Sequence, residues 1–321
     1  MKPSASFLTL RLAQGTALCL FAVLLTSCTL MKNPDSSPRE DKSFRIVAYA
    51  TDAIIVDLIP YDKLTHINYS FLIPNTDGTF ATLNNVWKLE AIVESAHSQN
   101  VRVSVAVGGW GWDSQFEEMA SNPESRTSFV KNLKAVVDQY QLDGVDIDWE
   151  YPDPGDSAQN YLALMKELRA ALPDKLISTA VISYGDETGL GIPDETFTIV
   201  DYVNVMTYDG NIHASMEEFE EGIKYWSERG VQKDKLNIGA PFYSRPSEVS
   251  FSKLVQFDSA AAQLDTFEYN GSPERYNGIP TLQAKTRIAI EKTGGIMFWA
   301  LDHDAQGEFS LVNAIYQIVH K

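Results

Sequence analysis

Cysteine is scarce in this chain. Its 321 residues include two, Cys19 and Cys28, and both lie near the N-terminus. A disulfide framework or a cysteine-ligated metal site needs several cysteines in the folded region, so the sequence excludes both there. The five histidines are no closer than 17 positions to one another, and they match no metal-ligand motif. The sequence therefore predicts neither a metal nor a cofactor.

Basic residues are also few. Lys and Arg number 26 against 43 Asp and Glu, which gives a formal net charge of −17. Nucleic-acid surfaces need clustered Lys and Arg to contact phosphates, and the sequence has no such cluster, so we expect no nucleic-acid partner. The Gly-x-Ser-x-Gly elbow of serine hydrolases is missing as well. The hydrophobic fraction of 44% is typical of a globular chain with a large core.

The N-terminal segment lacks acidic residues and an apolar run of transmembrane length. Lys2 and Arg11 precede an apolar run from Leu12 to Leu25, about 14 residues. Such a run is short for a membrane span and typical of a signal peptide. The run ends in Leu-Thr-Ser-Cys at Cys28, which resembles the lipobox of bacterial lipoproteins. An ordinary secretory signal with an incidental cysteine is the alternative.

The lipobox resemblance implies three segments. Residues 1–27 are a lipoprotein signal peptide, Cys28 is the acylated N-terminus of the mature chain, and residues 28–43 are a lipidated tether rich in Asn, Asp, Ser and Pro. Residues 44–321 form the folded domain. The protein is then expected in the bacterial cell envelope, at the outer membrane. The lipid alone attaches it, because the remaining chain is strongly acidic.

From Phe44 onward, eight short apolar runs alternate with helical segments. Runs that are almost entirely hydrophobic and rich in β-branched residues are typical of parallel strands covered on both faces. Eight such runs in strict alternation with helical segments predict a single-domain (β/α)₈ TIM barrel with only a short insertion between strands seven and eight. We expect the protein to be a monomer. A doubly wound open sheet is the alternative, but no glycine-rich phosphate loop follows the first run. The predicted strands are 45–50, 66–72, 102–107, 144–149, 177–182, 202–207, 236–242 and 295–301; the predicted helices include 85–99, 123–140, 159–172, 215–229 and 281–292.

Aromatic residues cluster where these strands end. In a TIM barrel the active site lies at the C-terminal ends of the strands. Four of the six tryptophans fall at or just past such ends, namely Trp110, Trp112, Trp149 and Trp299. A single aromatic residue is more readily explained as core. Several of them around carboxylates indicate a saccharide groove, because aromatic rings stack on the apolar faces of pyranoses.

The fourth strand is acidic on one face. Asp146, Asp148 and Glu150 alternate with apolar residues, so the three carboxyl groups share a face that points into the barrel. Neighbours about 6.6 Å apart along the strand repel by about 2.5 kcal/mol when both are charged. The set must therefore retain and share protons, which indicates a proton-handling site. A calcium site or a solvated acidic loop is the alternative, but Val, Ile and Trp stand between the acids where calcium loops have Gly and Asn.

Residues 143–150 match the Asp-x-x-Asp-x-Asp-x-Glu signature of glycoside hydrolase family 18, the chitinases and their relatives. Segments 106–109, 206–209, 241–243 and 295–299 also resemble the family's motifs, in order and at the expected strand ends. The resemblance extends from Phe44 to the C-terminus. It implies an enzyme that cleaves β-1,4-linked N-acetylglucosamine polymers by substrate-assisted, retaining hydrolysis, which departs from the two-carboxylate scheme.

The resemblance also implies roles for individual residues. Glu150 is the general acid, Asp148 orients the substrate's acetamido group, and Asp146 exchanges a proton with Asp148. Tyr208 hydrogen-bonds the acetamido oxygen, and Trp299 forms the floor beneath the distorted sugar. The further residues expected to bind an N-acetylglucosamine-containing oligo- or polysaccharide are Met206, Asp209, Tyr243, Tyr49, Phe71, Gly109 and Trp110.

Three positions depart from the family pattern. Ala106 replaces the usual Ser, which predicts a missing hydroxyl group near the acidic strand. Ser244 replaces the usual Gly after the tyrosine of strand seven. The stretch from Pro246 to Pro280 offers about 35 residues where many chitinases insert a larger module, so we expect a shallow cleft on that side.

Two other functions stay open at this point. An endo-β-N-acetylglucosaminidase would use the same acetamido chemistry on the core of N-glycans, although Trp149 between Asp148 and Glu150 favours the chitinase form of the motif. A non-catalytic carbohydrate-binding protein of the same fold typically lacks the catalytic glutamate, which is present here as Glu150.

Overall fold

In residues 44–321, the part of the chain that the computed structural model describes, eight parallel strands close into a barrel. These strands are β1 Arg45–Thr51, β2 His66–Leu72, β3 Arg102–Gly108, β4 Gly144–Asp148, β5 Leu176–Ile182, β6 Tyr202–Met206, β7 Leu236–Pro241 and β10 Gly295–Trp299. Their order around the barrel is β1-β10-β7-β6-β5-β4-β3-β2. The predicted (β/α)₈ barrel is confirmed. The predicted signal peptide, Cys28 and the tether lie outside the described residues.

Helices surround the barrel. They are α1 Val86–Ser98, α2 Asp113–Ser121, α3 Pro123–Gln139, α4 Asp156–Ala171, α5 Asp186–Gly189, α6 Thr196–Ile199, α7 Met216–Glu228, α8 Phe251–Phe257, α9 Ile279–Lys292 and α10 Leu311–Val319. The five predicted helices correspond to α1, α3, α4, α7 and α9, whereas the others were not predicted. No helix within residues 44–321 is long and apolar enough to cross a membrane.

Polar caps determine where several of these helices begin. The Asn122 side chain accepts a hydrogen bond from the first turn of α3, which also has Pro123 at its first position. The hydroxyl oxygens of Ser215 and Ser310 accept equivalent bonds at the start of α7 and α10. Each cap satisfies a backbone N–H that has no partner within its helix.

The outward faces of the strands pack beneath the helices and form the main core. On β4 and just after it, Val145, Ile147 and Trp149 are all buried, as the alternation in the sequence predicts. The Trp149 ring stacks on Phe116 of α2 with ring centroids 5.1 Å apart. Its indole N–H donates to Asp113 at 2.8 Å. These contacts fix the other face of β4, which carries the carboxyl groups, toward the barrel interior.

The insertion between β7 and β10 is short, as predicted. It contains α8 and an antiparallel hairpin of β8 Thr266–Tyr269 and β9 Ser272–Arg275. Arg245, in the loop that leaves β7, pairs in antiparallel fashion with Arg275 of the hairpin. The hairpin therefore lies directly against a loop at the C-terminal end of the barrel.

Candidate active site

The acidic strand β4 lies between β3 and β5. Asp146 stands opposite Ala106 on one side and Ser178 on the other. Asp146 and Asp148 are buried, at 0% and 3% exposure, and Glu150 follows the end of the strand in a half-buried position. A side chain at Gly108 would meet the Asp148 carbonyl oxygen at 2.4 Å, so glycine is required where β3 approaches the end of β4.

Three side chains donate hydrogen bonds to Asp146. They are the Tyr49 hydroxyl at 2.7 Å, the Ser178 hydroxyl at 2.5 Å and the Asn204 amide at 3.1 Å. Burial raises the pKa of Asp146, and these three bonds counteract part of that rise. The hydroxyl group missing at Ala106 thus has a counterpart in Ser178, which approaches Asp146 from the opposite neighbouring strand.

The donors to Asp146 belong to a longer chain of hydrogen bonds inside the barrel, which we call the polar column. Asn204 accepts from the Asn237 amide at 2.9 Å, and Asn237 accepts from the Arg45 guanidinium at 2.9 Å. Asn204 also donates to the Tyr49 hydroxyl at 3.1 Å. The polar column runs from the N-terminal end of β1 to Asp146 and orients each amide unambiguously.

Asp148 is the least satisfied carboxyl group of the site. Its Oδ1 atom is buried and has no hydrogen-bond partner among residues 44–321. Burial, followed by the charges of Glu150 and Asp146, raises the pKa of Asp148 well above its usual range. Its charged form is therefore disfavoured, and its Oδ1 atom is available to accept a hydrogen bond from a ligand.

Glu150 has the properties of a general acid. Burial raises the pKa of Glu150 to about 7, with a hydrogen bond from Tyr151 opposing the shift and the charge of Asp209 adding to it. An acid with a pKa near the working pH is protonated in part of the molecules and transfers its proton readily. Tyr151 was not among the predicted site residues, although it follows Glu150 directly in the sequence.

Asp209 is held by a cluster of donors at the rim of the site. Its carboxylate accepts hydrogen bonds from the Tyr243 hydroxyl at 2.6 Å and from two nitrogens of Arg245 at 2.8 and 3.0 Å. The His213 ring lies 3.0 Å away. Burial alone would raise the pKa of Asp209, but these donors hold it well below its usual range. The predicted residues Asp209 and Tyr243 are brought together, while His213 and Arg245 were not predicted.

Three aromatic rings, those of Trp299, Phe71 and Tyr49, pack together beside Asp146, and we call them the aromatic floor. The Trp299 ring stacks on Phe71 with centroids 5.3 Å apart and tilts against Tyr49 at 5.9 Å. A side chain at Gly109 would meet the Phe71 ring at 2.7 Å, which explains the glycine there. Trp299 is half-buried, so part of its side chain is accessible to a ligand.

The remaining predicted residues divide between the site and its edge. Met206 packs with Tyr49 inside the barrel, and Tyr208 packs against the same cluster. The Tyr208 ring lies 6.2 Å from that of Tyr243, between the floor and the rim. Trp110 is exposed over 79% of its surface. No group of three or more His, Cys, Asp or Glu side chains in the described part of the chain could hold a metal ion.

Comparison with known proteins gives consistent matches. Residues 45–304 match the family model of the glycosyl hydrolases family 18. The structure is similar to a family 18 chitinase from the chitin utilization locus of Flavobacterium johnsoniae, with 28% identity and a TM-score of 0.74 over 86% of this chain and 94% of that one. It is also similar to a chitinase from Bacteroides thetaiotaomicron, with 26% identity and a TM-score of 0.78 over 86% and 96% of the two chains.

An endochitinase of Manduca sexta is 27% identical to this chain, and the match covers 84% of this chain. The match covers 57% of the insect protein. This chain therefore spans little more than half the length of that relative.

Proposed function

Because this chain belongs to glycosyl hydrolases family 18, we propose that it hydrolyses β-1,4-linked N-acetylglucosamine polymers, chitin or chitooligosaccharides, with retention of configuration. The observation that carries the proposal is the acidic end of β4, where two buried carboxyl groups precede Glu150 and the pKa of Glu150 is about 7. A barrel fold hosts many activities. A carboxylic acid with a pKa near neutrality beside two buried aspartates supports proton transfer at this site.

In the proposed reaction, Glu150 donates its proton to the glycosidic oxygen as the bond from that oxygen to C1 breaks. The carbonyl oxygen of the substrate's 2-acetamido group attacks C1 and forms an oxazolinium ion, so no protein side chain is the nucleophile. Water then attacks C1 and gives a proton to Glu150, and the ring opens to restore the acetamido group. Glu150 thus acts first as acid and then as base.

Asp148 is suited to stabilising the oxazolinium ion. Its unpaired Oδ1 would accept the acetamido N–H, and its negative charge would face the developing positive charge. To become charged, Asp148 must release the proton that burial makes it retain. Asp146, which already accepts three hydrogen bonds, would receive that proton, and the Tyr208 hydroxyl would donate to the acetamido oxygen.

The saccharide would bind over the aromatic floor. Trp299 offers a ring face supported from below by Phe71, which suits the apolar face of a pyranose. Asp209 and Tyr243 would contact polar groups of the sugar at the rim. The three relatives described above are named as chitinases, which supports chitin as the polymer.

The test is to incubate the purified protein with chitin oligomers and, separately, with a high-mannose glycopeptide, and to identify products by mass. We expect shorter chitin oligomers and an intact glycopeptide. Glu150→Gln should lower kcat at least about a hundred-fold, because it removes the transferable proton, while oligomer binding persists. Release of the glycan would instead support the N-glycan enzyme. Binding without turnover by the unmodified protein would refute hydrolysis.

The same assay tests whether the acetamido group of the substrate is the nucleophile. An oxazoline-type inhibitor mimics the cyclised acetamido group, so it should block turnover in competition with the oligomer. Turnover that this inhibitor leaves unchanged would contradict substrate-assisted catalysis. A substrate in which the 2-acetamido group is replaced by a free amine should be cut far more slowly, since it lacks the nucleophile.

We propose further that the protein is exported as a monomeric lipoprotein, with residues 1–27 as the signal peptide, Cys28 as the acylated residue and residues 28–43 as the tether of the catalytic barrel, residues 44–321. The lipobox-like sequence before Cys28 supports this. An inhibitor of lipoprotein signal peptidase should cause the unprocessed chain to accumulate. Cys28→Ser should abolish labelling by a fatty-acid probe and leave the signal peptide uncleaved. Unchanged processing in both experiments would refute the proposal.

A further inference from the structure

Arg245 is the residue through which the insertion reaches the candidate site. Its guanidinium group donates to both carboxylate oxygens of Asp209, at 2.8 and 3.0 Å, and also bonds Glu248. A planar, bidentate contact of this kind fixes a carboxylate in orientation as well as in position. Both side chains are partly exposed, at 38% and 37%, so solvent competes for the contact. The geometry of Arg245 therefore depends on how firmly its backbone is held.

The backbone of Arg245 is held by the hairpin of the insertion. Its N–H donates to the Arg275 carbonyl oxygen at 3.0 Å, and its carbonyl oxygen accepts from the Arg275 N–H at 2.8 Å. This reciprocal pair joins the loop after β7 to β9. Displacement of the hairpin would consequently displace Arg245 with it.

Glu274 precedes Arg275 on β9 and is a buried residue that also bonds the loop containing Arg245. Its side chain is 0% exposed, which is unusual for a carboxylate and costly unless hydrogen bonds compensate. The Oε2 atom accepts from the Ser244 hydroxyl at 2.7 Å and from the Ser247 N–H at 3.2 Å. Glu274 thus bonds the chain on both sides of Arg245.

Ser244 supplies a side chain on which this arrangement depends. It stands where the family usually has glycine, which has no side chain to bond Glu274. Its hydroxyl is fully buried and also accepts from the Val249 N–H at 3.2 Å, which closes the loop from 244 to 249. The hydroxyl group therefore joins the loop to itself and to the hairpin in one place.

We propose that Glu274 and Ser244 are positioning residues for the substrate cleft: they hold Arg245 in the orientation that fixes Asp209 for saccharide binding. This inference rests on the proposed function, in which Asp209 contacts the sugar. The short insertion thereby acquires a role: its hairpin bonds the loop after β7, and Arg245 of that loop bonds Asp209 at the rim. Neither residue touches the reacting atoms.

The test measures the KM of chitin tetramer hydrolysis and, in a Glu150→Gln background, the Kd for the intact tetramer by calorimetry. Glu274→Ala and Ser244→Ala should each raise KM and Kd about five-fold, the effect of weakening one charge-assisted hydrogen bond, with kcat nearly unchanged. Glu274→Gln should retain near-normal values, because its amide oxygen accepts the same two bonds. Glu268→Ala removes an exposed glutamate from the other strand of the hairpin and is the matched control.

A double-mutant comparison separates positioning from general damage. In an Arg245→Ala background, Glu274→Ala should change Kd less than about two-fold, because the residue through which it acts is gone, while any loss of thermal stability should persist. An equal effect with and without Arg245, or an unchanged Kd in folded Glu274→Ala, would overturn the inference. Should Glu274→Ala fail to fold, Ser244→Ala carries the same comparison. An unmodified protein that binds the tetramer without cleaving it would refute the proposed hydrolysis alone, since the binding arm needs no turnover.

Discussion

Replacing Tyr151 with Phe should move the alkaline limb of the kcat/KM pH profile to higher pH. In the proposed reaction Glu150 must be protonated, so activity falls as pH rises through its pKa, which is about 7. The hydrogen bond from Tyr151 stabilises the carboxylate form of Glu150 and lowers the pKa of that group. Without this bond the proton is retained to higher pH, and the enzyme stays active there.

The size of the shift follows from the strength of one hydrogen bond. A bond to a charged group contributes about 1.5 kcal/mol, which corresponds to about one pH unit. The alkaline limb should therefore move from near pH 7 to near pH 8. Burial, the dominant cause of the raised pKa of Glu150, is nearly unchanged by the loss of a single hydroxyl oxygen.

Asp209→Asn is the matched variant of opposite sign. The negative charge of Asp209 adds to the raised pKa of Glu150, so its removal should move the alkaline limb to lower pH, by less than about one unit across a partly solvated gap. The assay is the initial rate on a chitin oligomer well below KM, from pH 5 to pH 9, because kcat/KM reports the free enzyme. Limbs that stay in place, or that move in the same direction in both variants, would refute the assignment of this titration to Glu150.

Three further predictions concern the barrel interior, a buried lysine and the aromatic floor. Ser178→Ala removes the 2.5 Å donor to Asp146 and should lower kcat about ten-fold, the cost of one hydrogen bond to a charged group. Adding Ala106→Ser on the opposite strand should restore part of kcat. No recovery would contradict the view that a hydroxyl group at position 106 or 178 serves Asp146 equally. Burial lowers the pKa of Lys285 to about 7, so the unfolded chain binds more protons between pH 7 and about pH 10 and stability should rise with pH there, by up to about 1.4 kcal/mol per unit. Urea unfolding at pH 7 and pH 9 checks this, and Lys285→Met should flatten the slope. Trp299→Ala should lower kcat/KM about 30-fold, equivalent to about 2 kcal/mol of lost stacking; an unchanged kcat/KM would exclude this ring as the floor.

The sequence predicts the barrel well because its strands are buried on both faces and stand out as apolar runs. Two helices of regular length were missed for different reasons. The apolar stretch of α10, Leu311–Val319, resembles a buried strand as closely as a helix. Helix α2 has only nine residues and ends directly before α3, so the predicted helix 123–140 corresponds to α3 alone and the short helix before Asn122 was missed.

Some residues of the candidate site could be predicted from the sequence, whereas others could not. The alternation along β4 is local, so the orientation of its carboxyl groups follows from the sequence. Arg245 contacts Asp209 across 36 positions of sequence, and only the closed barrel brings the two together. Ser178 is an intermediate case. A polar residue beside Ala180 on the inward face of β5 was a detectable signal, although its partner Asp146 was not.

The polar column limits how this barrel can be stabilised. In many barrels the interior is a packed aliphatic core that tolerates volume-conserving exchange. Here Asn204 and Asn237 occupy that space and extend the active site down to Arg45. An evolution experiment selected for heat resistance alone should enrich apolar residues at the two asparagines and lose activity. One that also selects for turnover should leave the interior unchanged and accumulate its substitutions beneath the helices.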